Sequence, residues 1–375
     1  MESRDQRISN QPEAMKFIVW KRVNLMKIPT EPIGSIPRSP ELVAGITGTA
    51  INASLPELYA EALKNTITSF EKTGSPVISD GEQTKSSFAT YPLEGLTNLT
   101  AEGMTINFED GHSRQLPLLT GGPFKYGKYA VEYLTAAQKL TALPVKQAVI
   151  SASALSLIYP QNGIEGYSQA EFMEDLLNEC EKDIRQCLEH GAYKVQMDFT
   201  EGRLSLKLDP SGGVLRHFID VNNQVFNRFT AEEQQLLGVH VCPGGDHDST
   251  HSADVDYGDF LPDLFNLNVG SFYLQLASEP DRPKVLKIIK QHLKPNQKAF
   301  IGVIDVLAPE IETKEQVRDR VLEAAAYIPL KQLGTTDDCG FSPFCDDIST
   351  TRETAFAKIM ARIEGTKLAE EQLSA

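Results

Sequence analysis

Three features of the sequence predict an α/β protein built as a (β/α)8 barrel. Eight short apolar runs alternate with amphipathic helical stretches, polar side chains gather at the C-terminal ends of those runs, and 375 residues accommodate one large barrel. In order the runs are TEPIGS (30–35), SPVISDG (75–81), VKQAVISAS (145–153), YKVQMDF (193–199), LLGVHVC (236–242), SFYLQLAS (271–278), KAFIGVID (298–305) and QLGTTDDCG (332–340). Each is rich in Val, Ile or aromatic residues, or closes on small and polar ones, as buried parallel strands do. Helices are expected over 57–72, 130–142, 168–191, 281–293 and 313–328, the third ending at Gly191, a residue that readily takes the left-handed terminating conformation. Residues 93–129 read as an inserted loop and hairpin after the second strand. The expected division is an N-terminal tail, 1–25, followed by a single barrel domain, 26–375; a doubly wound open sheet is the structural alternative.

Composition narrows the function classes. The apolar fraction of 41% and charged fraction of 23% are ordinary for a globular protein, and no run of eighteen apolar residues occurs, so no membrane span is expected. The patch FIVW (17–20) is too short for the core of a secretion signal, which makes the cytoplasm the expected compartment. With 36 Lys+Arg against 51 Asp+Glu, the formal charge of −15 repels phosphate-rich partners, and nucleic-acid binding is not expected. Five widely spaced cysteines do not read as a disulfide framework. A homo-oligomer is compatible with all of this.

On a barrel, functional groups belong at the C-terminal ends of the strands. Glu82, Asp198, His240, Cys242, Gln275, Asp305 and Cys339 all fall there. His240 and Cys242 are separated by one residue and point the same way on an extended strand. Cys339, from the last run, can reach the same centre. One imidazole and two thiolates favour Zn²⁺, and three protein ligands leave a position open for a substrate. Such a site is better suited to holding a substrate thiol as its thiolate than to activating water, because the ligands already donate much negative charge. The bland alternative is that a buried cysteine is a small hydrophobe. That reading is preferred for Cys180 and Cys187 on a helix and for Cys345 in a loop, and His112, His190, His217 and His292 read as surface or helix histidines. The stretch PGGDHDSTHSADVDYGDF (243–260) is either a solvated acidic loop or a second polar site using Asp246, His247, Asp248, His251, Asp254 and Asp256. His247 and His251 are its candidate proton donors, since imidazole exchanges protons near neutral pH.

Several motifs in order, IPTEPIGSIPRSPEL (28–42), ISDGEQTKSSF (78–88), FKYGKYAVEYLTAAQKLTALPVK (124–146), VHVC (239–242), GVIDVLAPEIETKEQVRDRVLEAAAYIP (302–329) and TTDDCGFSP (335–343), resemble the catalytic C-terminal barrel of cobalamin-independent methionine synthase. The resemblance runs from about Ile28 to about Arg362 and covers this barrel alone, as in short core forms. It implies zinc on His240, Cys242 and Cys339, with Gln275 at the position of the fourth ligand, and methyl transfer from methyltetrahydrofolate to homocysteine. Ile33, Gly34, Ser35, Glu82 and Asp198 match positions that hold the amino-acid part of homocysteine, and Asp198 is also a candidate catalytic residue. The chain departs from the pattern in three ways: Gln275 stands for a Glu, Leu307 for a His thought to protonate the departing folate nitrogen, and the sole tryptophan is Trp20. VQMDFTEGRLSLKLDPSGG (195–213) and HVCPGGDHDSTHSADVDY (240–257) are more similar to the epoxyalkane:coenzyme M transferase branch, where a thiolate opens an epoxide. The expected partners are therefore a small thiol and an alkyl donor, methylfolate or epoxide. Arg38, Arg203 and Lys207 are available to a sulfonated thiol. A lyase or decarboxylase and a non-catalytic thiol-binding protein are the rival readings.

Overall fold

Six parallel strands form most of a barrel wall: β1 Gln147–Ile150, β2 Val195–Asp198, β3 Leu237–Val241, β4 Ser271–Leu274, β5 Lys298–Gly302 and β6 Leu333–Thr336, bonded in that sequence. This is a computed structural model describing residues 27–49 and 54–374. The expected tail, 1–25, and Trp20 within it lie outside the described residues. The first two predicted strands contribute single parallel bridges, Thr30 to Thr335 and Ile78 to Val145. Between them Ile36 N–H donates to Gly81 O (3.0 Å) and Ser79 Oγ to Gly34 O (2.7 Å), closing the barrel. Pro29, Pro32 and Pro76 explain why these two segments are so short as strands, since proline has no N–H for a ladder.

Register brings one layer of residues level around the wall: Ile150, Asp198, His240, Tyr273, Phe300 and Gly334 are successive partners. A Cβ on Gly334 would lie 2.4 Å from Phe300, so the bare backbone there makes room for the ring. Below this layer the interior is ionic. Glu31 accepts from Lys194 Nζ (2.8 Å) and Tyr273 Oη (2.5 Å), with Lys146 Nζ 3.9 Å away. Arg362, on the final helix Arg352–Leu373, pairs with Asp337 and donates to Glu31 O (3.0 Å).

The outer helices follow their sequence signals. Gln169–Glu189 begins with a reciprocal Ser168–Glu171 capping box and stops two residues before Gly191, whose φ is +75°. Lys314–Ala325 is capped the same way by Thr313 and Gln316. The insertion forms two small antiparallel pairs, Leu99–Thr100 with Leu118–Leu119 and Thr105–Asn107 with Ser113–Gln115. Its loop is tied to the segment after β3 by Glu109 N–H donating to Thr250 O (2.9 Å). Among the described residues no helix is long and apolar enough to cross a membrane.

Candidate metal centre and its cavity

β3 carries His240 and delivers Cys242 just past its last residue, Val241, while Cys339 lies three residues beyond the end of β6. One ligand atom from each lies within 4.8 Å of the others, the one such group of three His, Cys, Asp or Glu side chains found among the described residues, and all three are buried. The two Sγ atoms are 3.1 Å apart, closer than the ~3.8 Å that two thiolates at about 2.3 Å take around a tetrahedral zinc, so a cation would spread them by about 0.7 Å. Both ring nitrogens of His240 lack a hydrogen-bond partner although the residue is only 2% exposed. An orphaned buried imidazole is costly, and a metal satisfies it. The donor set fits a soft or borderline cation. Contact with the Cys242 thiol, and then burial, hold the Cys339 thiol well above its usual range, so ligation by Cys339 must expel a proton. Gly244 N–H donates to Cys242 Sγ (3.4 Å).

The cluster opens on a cavity of about 400 Å³, within the roughly 300–1,000 Å³ of small-molecule sites. Ile33, Gly34, Ser35, Glu82 and Asp198 line it alongside the three ligands. The first segment reaches Cys339 because Gly340 has no side chain; a Cβ there would sit 2.2 Å from Ser35 Oγ, and Ser342 N–H donates to that same oxygen (3.2 Å). Glu82 adopts φ +55°, a left-handed conformation that costs a non-glycine residue about 1–3 kcal/mol, and its carboxylate takes a bond from Lys85 Nζ (3.1 Å). Asp198 accepts from Gln196 Nε2 (2.8 Å); burial first, opposed by His240 and reinforced by Glu82, pushes its pKa up to about 6. The opposite wall is apolar, with Phe88, Ile106, Phe108, Leu116 and Leu157. Three of these belong to the insertion, which therefore roofs the barrel mouth.

Other expected site residues have different occupations. The amide oxygen of Gln275 accepts from Arg203 Nη1 (3.1 Å) and its NH₂ donates to Ser278 Oγ (2.7 Å), so the oxygen it would offer a metal is already engaged. Three acidic residues of the loop are held by neighbours. Asp246 binds Arg114 and His112, Asp254 binds Lys207, and Asp256 caps the helix Tyr257–Leu264. His247 takes a hydrogen bond at Nε2 from Arg114 (3.1 Å) and is absent from the cavity wall. His251 does line the cavity, but burial, then Lys207 and Arg203, lower its pKa to about 4, so near neutral pH it has no proton to spare. Asp305 closes its own turn, accepting from Leu307 N–H (3.1 Å). The cations kept for a sulfonate are consumed elsewhere: Arg38 on four backbone carbonyl bonds, Arg203 on Gln275, Glu279 and the 253–255 backbone, and Lys207 on Asp254 and His251 O.

Sequence motifs gave no site role to Glu201, which also lines the cavity. Its Oε1 accepts from Ser151 Oγ (2.5 Å) and from Ser153 Oγ, and its Oε2 has no partner. Burial, only partly offset by the two serines and by its own backbone N–H, pushes its pKa up to about 7.

A family model described as the catalytic domain of cobalamin-independent synthase matches residues 28–348. The methionine synthase of Saccharolobus solfataricus is 23% identical over 352 residues, which span 92% of this chain and 96% of that protein. A 5-methyltetrahydropteroyltriglutamate–homocysteine methyltransferase of Nitratidesulfovibrio vulgaris is 21% identical over 340 residues; the match takes in 88% of this chain but only 41% of that longer protein. Among solved structures, a B12-independent methionine synthase from Shewanella sp. W3-18-1 in complex with selenomethionine shares the fold with a TM-score of 0.73, at 20% identity, over 92% of this chain and 99% of that one. A putative vitamin-B12 independent methionine synthase from Listeria monocytogenes gives 0.67, also at 20% identity, over 91% and 98%.

Proposed function

The chain belongs to the cobalamin-independent methionine synthase family, and from that membership we propose that it transfers an alkyl group to the sulfur of a small thiol, with Zn²⁺ on His240, Cys242 and Cys339. The observation that carries this reading is the convergence of those three side chains, with an unpartnered imidazole, at the floor of a cavity large enough for a substrate. Bound there, zinc supplies the Lewis acidity that lets a thiol lose its proton near neutral pH. Glu82 and Asp198 present carboxylates to the ammonium of an amino-acid thiol, and the Ile33–Gly34–Ser35 backbone orients it beside them. The engagement of Arg38, Arg203 and Lys207 weighs against a sulfonated thiol, so a homocysteine-like substrate is preferred. Gln275 holds Arg203 and leaves the fourth coordination position to the substrate.

Methyl transfer from methyltetrahydrofolate ranks first as the reaction. A small epoxide is the second reading, and the apolar wall of Phe88, Ile106, Phe108, Leu116 and Leu157 is what favours it. Zinc-loaded protein is tested with a panel of thiols crossed with methyltetrahydrofolate and small epoxides, the products read by mass spectrometry. A thioether requiring both substrates supports alkyl transfer; turnover of one substrate without a thiol acceptor points to a lyase, and thiol binding without product to a non-catalytic protein.

A further inference from the structure

We propose that Glu201 is the acid that protonates the group leaving the transferred carbon. The inference rests on the alkyl-transfer reading above. When the substrate sulfur attacks carbon, the S–C bond forms with a sulfur electron pair, the bond from carbon to the donor nitrogen or oxygen breaks, and its pair stays on that atom. That atom must take a proton. The family's histidine is Leu307 here, His247 is bonded to Arg114 outside the cavity wall, and His251 carries no spare proton.

The hydrogen bonds around Glu201 fix which oxygen is the acid. Ser151 Oγ accepts from Ala154 N–H (3.1 Å), so its own proton goes to Glu201 Oε1. Asn222 is oriented by Ser153 N–H donating to its Oδ1 (3.1 Å); its NH₂ therefore donates to Ser153 Oγ (2.8 Å), whose proton also goes to Oε1. With two hydroxyls pointed at it, Oε1 is an acceptor. The proton of neutral Glu201 then resides on Oε2, which has no protein partner and is shielded from bulk water, in a residue that forms part of the cavity wall. The protein supplies this oxygen with no bonded acceptor, so one would have to come from the occupant of the cavity. Asp198 from β2 raises the cost of ionising Glu201; Glu82, Arg114, His251 and Asp346 are the other titratable or charged groups on the wall besides the cysteines and His240. An acid titrating near neutral pH is also well matched to proton transfer. After transfer, Glu201 recovers a proton equivalent to the one the thiol released, so the net change is thiol plus donor giving thioether plus protonated leaving group.

The test uses the full zinc-loaded chain. Glu201→Gln keeps an acceptor for both serines but replaces the acid with an amide that cannot release a proton. With methyltetrahydrofolate or a small epoxide, kcat should fall by about 10²–10⁴-fold. With methyl iodide, whose iodide leaves unprotonated, thiol methylation should stay within about twofold. Zinc content and thiol affinity should not change, and the infrared carbonyl band of a protonated carboxyl that titrates near neutral pH in the wild type should be missing. Equal slowing with all donors, or a change confined to KM for the thiol, overturns the assignment. A wild type that fails to accelerate methylation by methyl iodide defeats the alkyl-transfer reading itself, and this assignment with it. Should Glu201→Gln not fold, Ser153→Ala serves: it removes a bond that favours the ionised form, so the alkaline limb of kcat/KM must move to higher pH, and an unmoved limb refutes the role.

Discussion

Replacing Glu201 by glutamine should remove a loss of stability that the wild type suffers as pH rises. The wild-type carboxyl titrates near 4.5 when exposed and at about 7 when folded. Between those values the folded state binds the proton more tightly than the unfolded chain, so wild-type stability falls as pH rises through the window. At ~1.4 kcal/mol per pH unit the full cost is ~3 kcal/mol, of which roughly 2–3 kcal/mol develops between pH 5 and pH 8. Glutamine keeps Oε1 for Ser151 and Ser153 and has no charge to bury, so its stability lacks this slope. Urea denaturation of both proteins at pH 5 and pH 8, with matched zinc content, measures the gap directly. A gap that stays constant within about 0.5 kcal/mol, or that shrinks as pH rises, would refute the burial argument and the assignment of a neutral acid at this position.

The other predictions concern the scaffold of the site. Gly244→Ala should lower stability by at least about 1–2 kcal/mol and displace His251, because Gly244 has φ +71° and a methyl would lie 1.8 Å from His251 Nε2; thermal unfolding and the His251 NMR signal report it. Glu31→Gln should cost about 3–5 kcal/mol by leaving Lys146 and Lys194 buried without their counter-charge, seen as a lower urea midpoint with little change in metal content. Gln275→Ala should retain one equivalent of metal while losing about 1–3 kcal/mol of stability through the freed Arg203, as metal analysis and denaturation of one preparation will show.

Periodicity located all eight barrel segments, because most are short apolar runs between amphipathic helices and the others close on small and polar residues. It did not reveal that the Thr30 and Ile78 segments pair through single bridges, a consequence of their prolines. The metal trio was legible because alternation along a strand puts His240 and Cys242 on one side, and because strand ends converge on the barrel mouth. The fates of Gln275, Arg38 and Arg203 were not legible. Each is decided by partners from other loops, such as Gln275 for Arg203, 72 residues away. Glu201 is the clearest case: its meaning depends on Ser151 and Ser153, 50 and 48 residues earlier just past β1, and on Asn222, contacts that no spacing rule anticipates.

X-ray absorption at the zinc edge, on protein purified with zinc and then given homocysteine, interrogates the centre itself. One zinc per chain with two sulfurs at about 2.3 Å and one nitrogen at about 2.0–2.1 Å, gaining a third sulfur when the thiol is added, is the expected spectrum. Bound zinc below half an equivalent that does not fall further in Cys339→Ala, or a sulfur count that the added thiol leaves unchanged, would contradict it.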